Sequence, residues 1–119
     1  MDINMVEQMQ WSDNSILKSV KNPSSHRHIM ECKELTFYGF PNQPDFVTII
    51  IDIVPSKNTI ELKSLKMYLL QFRDKHMSYE RILDIIFKDI NEIYLPHSLK
   101  VTLKTQPRGG ICSTLIKGG

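Results

Sequence analysis

Two acids, a pair of lysines and two cysteines are the residues of this chain best placed to do chemistry. Asp45 sits in Gln43-Pro44-Asp45-Phe46, at the end of a turn-rich stretch, where an aspartate either satisfies local backbone donors or is held out for a ligand. Glu80 follows Ser78 at the start of a helical pattern. An acid there is favoured by the helix dipole at about 0.3–1 kcal/mol, which is reason enough for it to be structural. Lys63 and Lys66 lie three residues apart in Glu61-Leu62-Lys63-Ser64-Leu65-Lys66-Met67-Tyr68 and share a helix face. They make either a solvated stripe or a pair of cations for an anionic ligand, with Glu61 available to cap the helix. Cys32 and Cys112 form no disulfide framework. Each reads as an inert strand thiol, or as a nucleophile if the fold carries it to a cleft. His26, His28, Cys32 and His76 lack the spacing of a metal site, and no metal is expected. Gly109-Gly110 joins two strand patterns without a helix behind it, so it is no phosphate loop.

These residues must be positioned by a small set of elements. Met1 to His26 is polar and weakly periodic, with Trp11 as a possible anchor and a short helical turn at Ile16, Leu17 and Val20; residues 1–26 are expected to form an arm. Residues 27–119 form the domain. Arg27 to Phe37 roughly alternates as a strand, and Tyr38 to Pro44 is a turn cluster. Phe46 to Val54 is the strongest strand, β-branched almost throughout, with Val47, Ile49, Ile51 and Ile53 on one face; Pro55 to Asn58 closes it. Leu62, Leu65, Leu69 and Phe72 recur at helical spacing. So do Ile82, Leu83, Ile86, Ile90 and Ile93, in a second helix that Ser78 caps and that ends near Tyr94. Ser98 to Thr105 alternates cleanly, and Ile111 to Ile116 is a last short strand after the Gly-Gly turn. The order ββααββ predicts an α+β fold: an antiparallel four-stranded sheet with both helices on one face. The other face is half apolar and needs covering.

The chain has 119 residues, 41% of them hydrophobic and 24% charged, which is the make-up of one ordinary globular domain. Its core is small, so self-association is a natural way to bury more apolar surface. A net charge of +2 is too slight to argue for nucleic-acid or membrane binding by bulk electrostatics. With no run of about 18 apolar residues and an acidic, polar Met1–Gln10 in place of a basic-then-apolar leader, the expected location is the cytoplasm.

Five segments in order along the chain resemble the 7-cyano-7-deazaguanine reductases, the QueF-type nitrile reductases of queuosine biosynthesis. Cys32-Lys33-Glu34-Leu35-Thr36 is similar to that family's Cys-x-Glu-Phe-Thr strand, and Gln43-Pro44-Asp45-Phe46 matches its Gln-Pro-Asp-Phe. Glu61 to Tyr68 matches its nicotinamide-dinucleotide-associated motif. Phe72-Arg73 followed by Glu80 resembles its Phe-Arg-Asn-His…His-Glu segment, and Pro107-Arg108-Gly109-Gly110-Ile111 its Pro-Arg-Gly-Gly-Ile turn. The resemblance implies a tunnelling fold, whose subunits close their sheets into homo-oligomeric barrels with ligand pockets between neighbours. It implies Asp45 as the acid beside the nucleophile and Glu80, with Tyr79 and Phe72, as the substrate-binding group. Glu61, Lys63, Ser64 and Lys66 would then belong to an NADPH site.

Two positions depart from the family pattern. The nucleophilic cysteine precedes the aspartate by seven residues, which here falls on Tyr38, or on Gly39 if one loop residue has been lost; the histidine before the glutamate is Tyr79. Nitrile reduction begins with thiolate attack to give a thioimide that hydride can reduce. Glycine offers no nucleophile and a tyrosine titrates only near about 10. Recognition of the base is a separate matter, since a carboxylate can accept two hydrogen bonds from the N1–H and 2-amino edge of a guanine-like ring. The expected function is therefore binding of 7-cyano-7-deazaguanine or a similar purine or pterin. NADPH-dependent reduction is conditional on another thiol, such as Cys32 or Cys112. Two alternatives are an archaeosine-type amidinotransferase-like relative acting on the nitrile in tRNA, and a non-catalytic ligand-binding or regulatory subunit.

Overall fold

A computed structural model describes residues 12–39 and 43–119. After a 3-10 turn at Asn14–Ile16 come strands β1 (Ser19–Lys21), β2 (His28–Gly39), β3 (Gln43–Val54) and β4 (Asn58–Ile60). Helix α1 (Leu62–Leu70), a 3-10 turn (Gln71–Asp74), helix α2 (Tyr79–Tyr94) and strands β5 (Ser98–Thr105) and β6 (Thr114–Gly118) complete the chain. The main sheet is antiparallel in the order β2-β3-β5-β6, the expected four strands with both helices on one face.

The β-branched run of β3 decides which face is which. Val47, Ile49, Ile51 and Ile53 are all at or below 1% exposure, and their β5 partners Leu103, Val101 and Leu99 are buried with them. Ile82, Leu83, Ile86 and Ile90 of α2 and Leu65, Tyr68 and Leu69 of α1 close over that face in a single core cluster. Each fully buried side chain of this kind contributes about 1.5–3 kcal/mol. The reverse face carries Ile29, Phe46 and Ile116 exposed.

The ends of several elements differ from the sequence reading. The turn expected over Tyr38–Pro44 is shorter, because β2 runs to Gly39 and β3 starts at Gln43 in register with it. The first helix stops at Leu70 and tightens into a 3-10 turn that still buries Phe72. The last strand starts at Thr114 and not Ile111, since Ile111 is used to close the Gly-Gly turn against Arg108. Ser78 does cap α2, its Oγ accepting from the Arg81 amide at 3.2 Å, and the helix ends at Tyr94 as expected.

Within residues 1–26, those described pack against the domain. Leu17 is buried, and β1 pairs with β4 in a ribbon that the polar composition did not reveal. The helical turn expected at Ile16, Leu17 and Val20 is instead the 3-10 turn followed by strand, with Val20 opposite Thr59. Trp11 lies outside the described residues. Among the described residues no helix is long and apolar enough to cross a membrane.

Candidate functional site

The end of β2 builds one wall of a cleft. Its backbone continues to bond beyond the sheet: the Tyr38 amide donates to the Lys75 carbonyl and the Met77 amide to the Tyr38 carbonyl, both at 2.9 Å. This parallel pairing holds residues 75–77 beside the strand and delivers the start of α2 to Gly39. Strand alternation then sorts the side chains. Tyr38 turns one way and stacks on His76, with centroids 5.0 Å apart and planes 17° from parallel. Phe37 and Gly39 turn the other way, and Tyr79 sits edge-on to the buried Phe37 ring at 5.9 Å.

The result is a small cleft of about 160 Å³ lined by Gly39, Asp45, Met77, Ser78, Tyr79, Glu80 and Arg108. Asp45 is its buried charge, at 8% exposure. The Tyr79 hydroxyl donates to Asp45 Oδ1 at 3.0 Å, and Arg108 Nη1 reaches Oδ1 and Oδ2 at 3.1 and 3.3 Å. A buried carboxylate needs such partners, because removing it from water without them is prohibitively unfavourable. The Tyr79 hydroxyl and the Asp45 charge hold the Arg108 guanidinium above its ordinary pKa. Glu80 lies in the first turn of α2, exposed on the rim of the same cleft.

The other expected site residues divide between structural work and a second surface. Glu61 caps α1, its Oε2 accepting from the Ser64 amide at 2.5 Å. Ser64 is buried, donating to the Glu61 carbonyl at 2.7 Å and accepting from the Lys18 amide at 2.9 Å. Glu61 Oε2 and the Ser64 hydroxyl are thus engaged within the chain. Phe72 is fully buried against Tyr68 and belongs to the core behind the site. Lys63 and Lys66 are exposed, and Lys66 with Arg73 borders a separate, mostly apolar groove of about 630 Å³ between β2 and α1. Cys32 lines that groove and Cys112 is exposed beyond the Gly-Gly turn; neither lines the Asp45 cleft. Among the described residues no three of His, Cys, Asp or Glu gather as metal ligands.

Arg108 is the site residue that sequence reasoning passed over, although it stood in a quoted motif. The two segments containing Asp45 and Arg108 are far apart in sequence, and their opposite charges were the available signal. Gly109 and Gly110, at φ 59° and 79°, form the tight turn that presents Arg108, with mutual backbone bonds between Arg108 and Ile111. Two successive positive φ values are what a two-residue hairpin of this hand requires.

Residues 44–117 match the family described as QueF-like protein. A protein of Nitrosospira multiformis named NADPH-dependent 7-cyano-7-deazaguanine reductase is 39% identical over 104 residues, covering 84% of this chain and 75% of its own. One of the same name from Rhodopirellula baltica is 36% identical, covering 84% and 86%. Another, from Pelodictyon phaeoclathratiforme, is 47% identical over 72 residues, covering 60% and 62%. Among solved structures, an archaeosine synthase QueF-Like in the apo form superposes with a TM-score of 0.70 at 15% identity, covering 83% of this chain and 96% of that one. That likeness shows the fold, a tunnelling fold. With a family match over most of its length and relatives this similar, the chain belongs to the QueF-like protein family.

Proposed function

We propose that this protein binds 7-cyano-7-deazaguanine or a closely related 7-deazaguanine of queuosine-type tRNA modification metabolism, and holds it without a covalent bond. The observation that carries the reading is the cleft itself: Glu80 on the rim, Asp45 and Tyr79 within, and at the wall Gly39, which with Tyr38 is one of the two positions where the family resemblance puts the nucleophile. Glu80 offers two acceptor oxygens to the N1–H and 2-amino edge of the base, an arrangement worth more than a neutral pair because one partner is charged. Tyr79 flanks it. No cysteine lines this cleft, so thioimide formation has no donor here, and loss of a covalent nucleophile lowers turnover by several orders of magnitude.

The relatives' names specify NADPH. Lys66 and Arg73 beside an apolar groove of about 630 Å³ suit the phosphates and rings of such a dinucleotide, with Lys63 close by in sequence on α1. Glu61 and Ser64 support that surface by fixing the start of α1. When bound, NADPH would supply hydride; the residues named here would only hold it.

Self-association into a homo-oligomeric barrel belongs to the same reading. The exposed Ile29, Phe46 and Ile116 share the uncovered sheet face, and covering them would bury apolar surface that the protomer leaves in water. Light scattering on the purified protein tests this, with a monomer as the contrary result.

Calorimetry with 7-cyano-7-deazaguanine tests the ligand. Binding that falls at least about tenfold in Glu80→Ala is expected, a charge-assisted pair being worth about 1.5–3 kcal/mol. Intact-protein mass after incubation should be unchanged and NADPH absorbance constant. A covalent adduct with NADPH consumption would restore the reductase reading through another thiol.

A further inference from the structure

Helix α1 lies between the apolar groove and residues 12–18, and each meets a different stripe of it. Leu62, Lys66, Leu69 and Arg73 line the groove, while Glu61, Ser64, Tyr68 and Gln71 recur at helical spacing on the other flank. Along that flank residues 12–18 run antiparallel to the helix and are bonded at both of its ends. At its start the Lys18 amide donates to Ser64 Oγ at 2.9 Å, and the Glu61 amide donates to the Lys18 carbonyl at 3.1 Å. At its end the Gln71 side chain grips a single residue. Its Oε1 accepts from the Asp13 amide at 2.6 Å and its Nε2 donates to the Asp13 carbonyl at 3.2 Å. The same Nε2 donates to the Tyr68 carbonyl in the last turn of α1 at 2.9 Å. The segment is itself fixed to the core: Leu17 is buried, and Ser12 and Asn14 both donate to Asp89 of α2.

A shift of α1 carries Lys66 with it across the groove. Gln71 opens the 3-10 turn that bears Arg73 two residues on, so its bonds to Asp13 fix where that guanidinium starts. We infer that Gln71 is a positioning residue for the cofactor groove: through it, residues 12–18 hold Lys66 and Arg73 in place for an anionic dinucleotide. The inference rests on the reading of that groove as the NADPH site. Cations on long side chains lose freedom when they close on a phosphate, and a backbone already held in place reduces that loss. Gln71 does not line the groove, so replacing it removes no contact with the ligand.

Calorimetry on the full chain with NADPH, and separately with 7-cyano-7-deazaguanine, tests this. Gln71→Met keeps the length of the side chain and loses the bonds to Asp13 and Tyr68. NADPH should bind it about three- to tenfold more weakly, the range expected when one or two long side chains are no longer pre-organised. The affinity for the base should not change, and far-UV circular dichroism checks that the variant is folded. A merely structural role would lower the unfolding midpoint and leave the NADPH affinity of the folded protein as it was. Ser64→Ala, which releases Lys18 at the other end of α1, should weaken NADPH in the same way and decides the matter if Gln71→Met does not fold. Arg73→Ala separates the inference from the reading beneath it. NADPH affinity within about twofold of wild type in Gln71→Met, with Arg73→Ala weakened, overturns the inference and leaves the groove reading standing. NADPH binding indifferent to Arg73→Ala, or absent from the wild type, overturns both.

Discussion

Replacing Tyr68 with phenylalanine removes one hydroxyl from the most enclosed polar cluster of the described fold. Tyr68 is fully buried and donates to Asp89 Oδ2 at 2.5 Å; Asp89, itself 7% exposed, also accepts from Ser12 and from Asn14 Nδ2 at 3.3 Å. The ring stays, so no cavity opens, and the loss is that of one hydrogen bond to a charged acceptor, about 1.5–3 kcal/mol. At an m value of about 1.5 kcal/mol/M the urea midpoint should fall by about 1–2 M. The pH dependence gives a second, independent signature. Burial first, and then the Asp89 charge, push the Tyr68 pKa above its ordinary value. A raised folded pKa means that its contribution is complete below the unfolded value near 10 and is lost as pH climbs beyond it. One tyrosine should remove about 1.4 kcal/mol from the wild type between neutral pH and pH 11. Tyr94, pushed up to about 12 mainly by burial, titrates in both proteins and cancels in the comparison. The gap between wild type and Tyr68→Phe should therefore narrow in alkali. Urea titrations monitored by far-UV circular dichroism at pH 7 and pH 11 measure both effects. A variant within 0.5 kcal/mol of wild type at neutral pH, or a gap that does not change in alkali, would refute the reasoning.

Ser78→Ala should cost about 1 kcal/mol by removing the acceptor for the Arg81 amide at the start of α2, read as a lowered thermal midpoint. Gly109→Ala forces a side chain into φ 59° and should cost about 1–2 kcal/mol, with Gly109→Asn milder; both are measured by thermal unfolding. Ile86→Ala, at a position with no exposure, should cost about 2–5 kcal/mol in urea titration. Ile86→Ala lies away from the Asp45 cleft, whereas Ser78→Ala alters one of its walls and Gly109→Ala the turn that presents Arg108.

The sheet and the second helix were legible because their signals are local. Phe46 to Val54 of β3 is β-branched almost throughout, and Ile82, Leu83, Ile86 and Ile90 repeat at helical spacing behind a serine that caps. The β1–β4 ribbon was not legible, since three-residue strands flanked by polar residues carry too little periodicity to register. Asp45, Tyr79 and Glu80 could be singled out one at a time, but their union with Arg108 depends on the β5–β6 turn, which the pairing of Val47 with Thr105 carries beside the start of β3. The motif from Glu61 to Tyr68 illustrates the opposite case. Its polar residues looked available for a cofactor, yet two of them are consumed by capping α1 and anchoring Lys18, a demand that no spacing pattern announces.

Crystals of the protein soaked with 7-cyano-7-deazaguanine would address the central claim directly. The account predicts a base with its N1–H and 2-amino edge against the Glu80 carboxylate, its five-membered ring toward Asp45, and no continuous density to any sulfur. A base bound elsewhere, or bonded to Cys32 or Cys112, would contradict it.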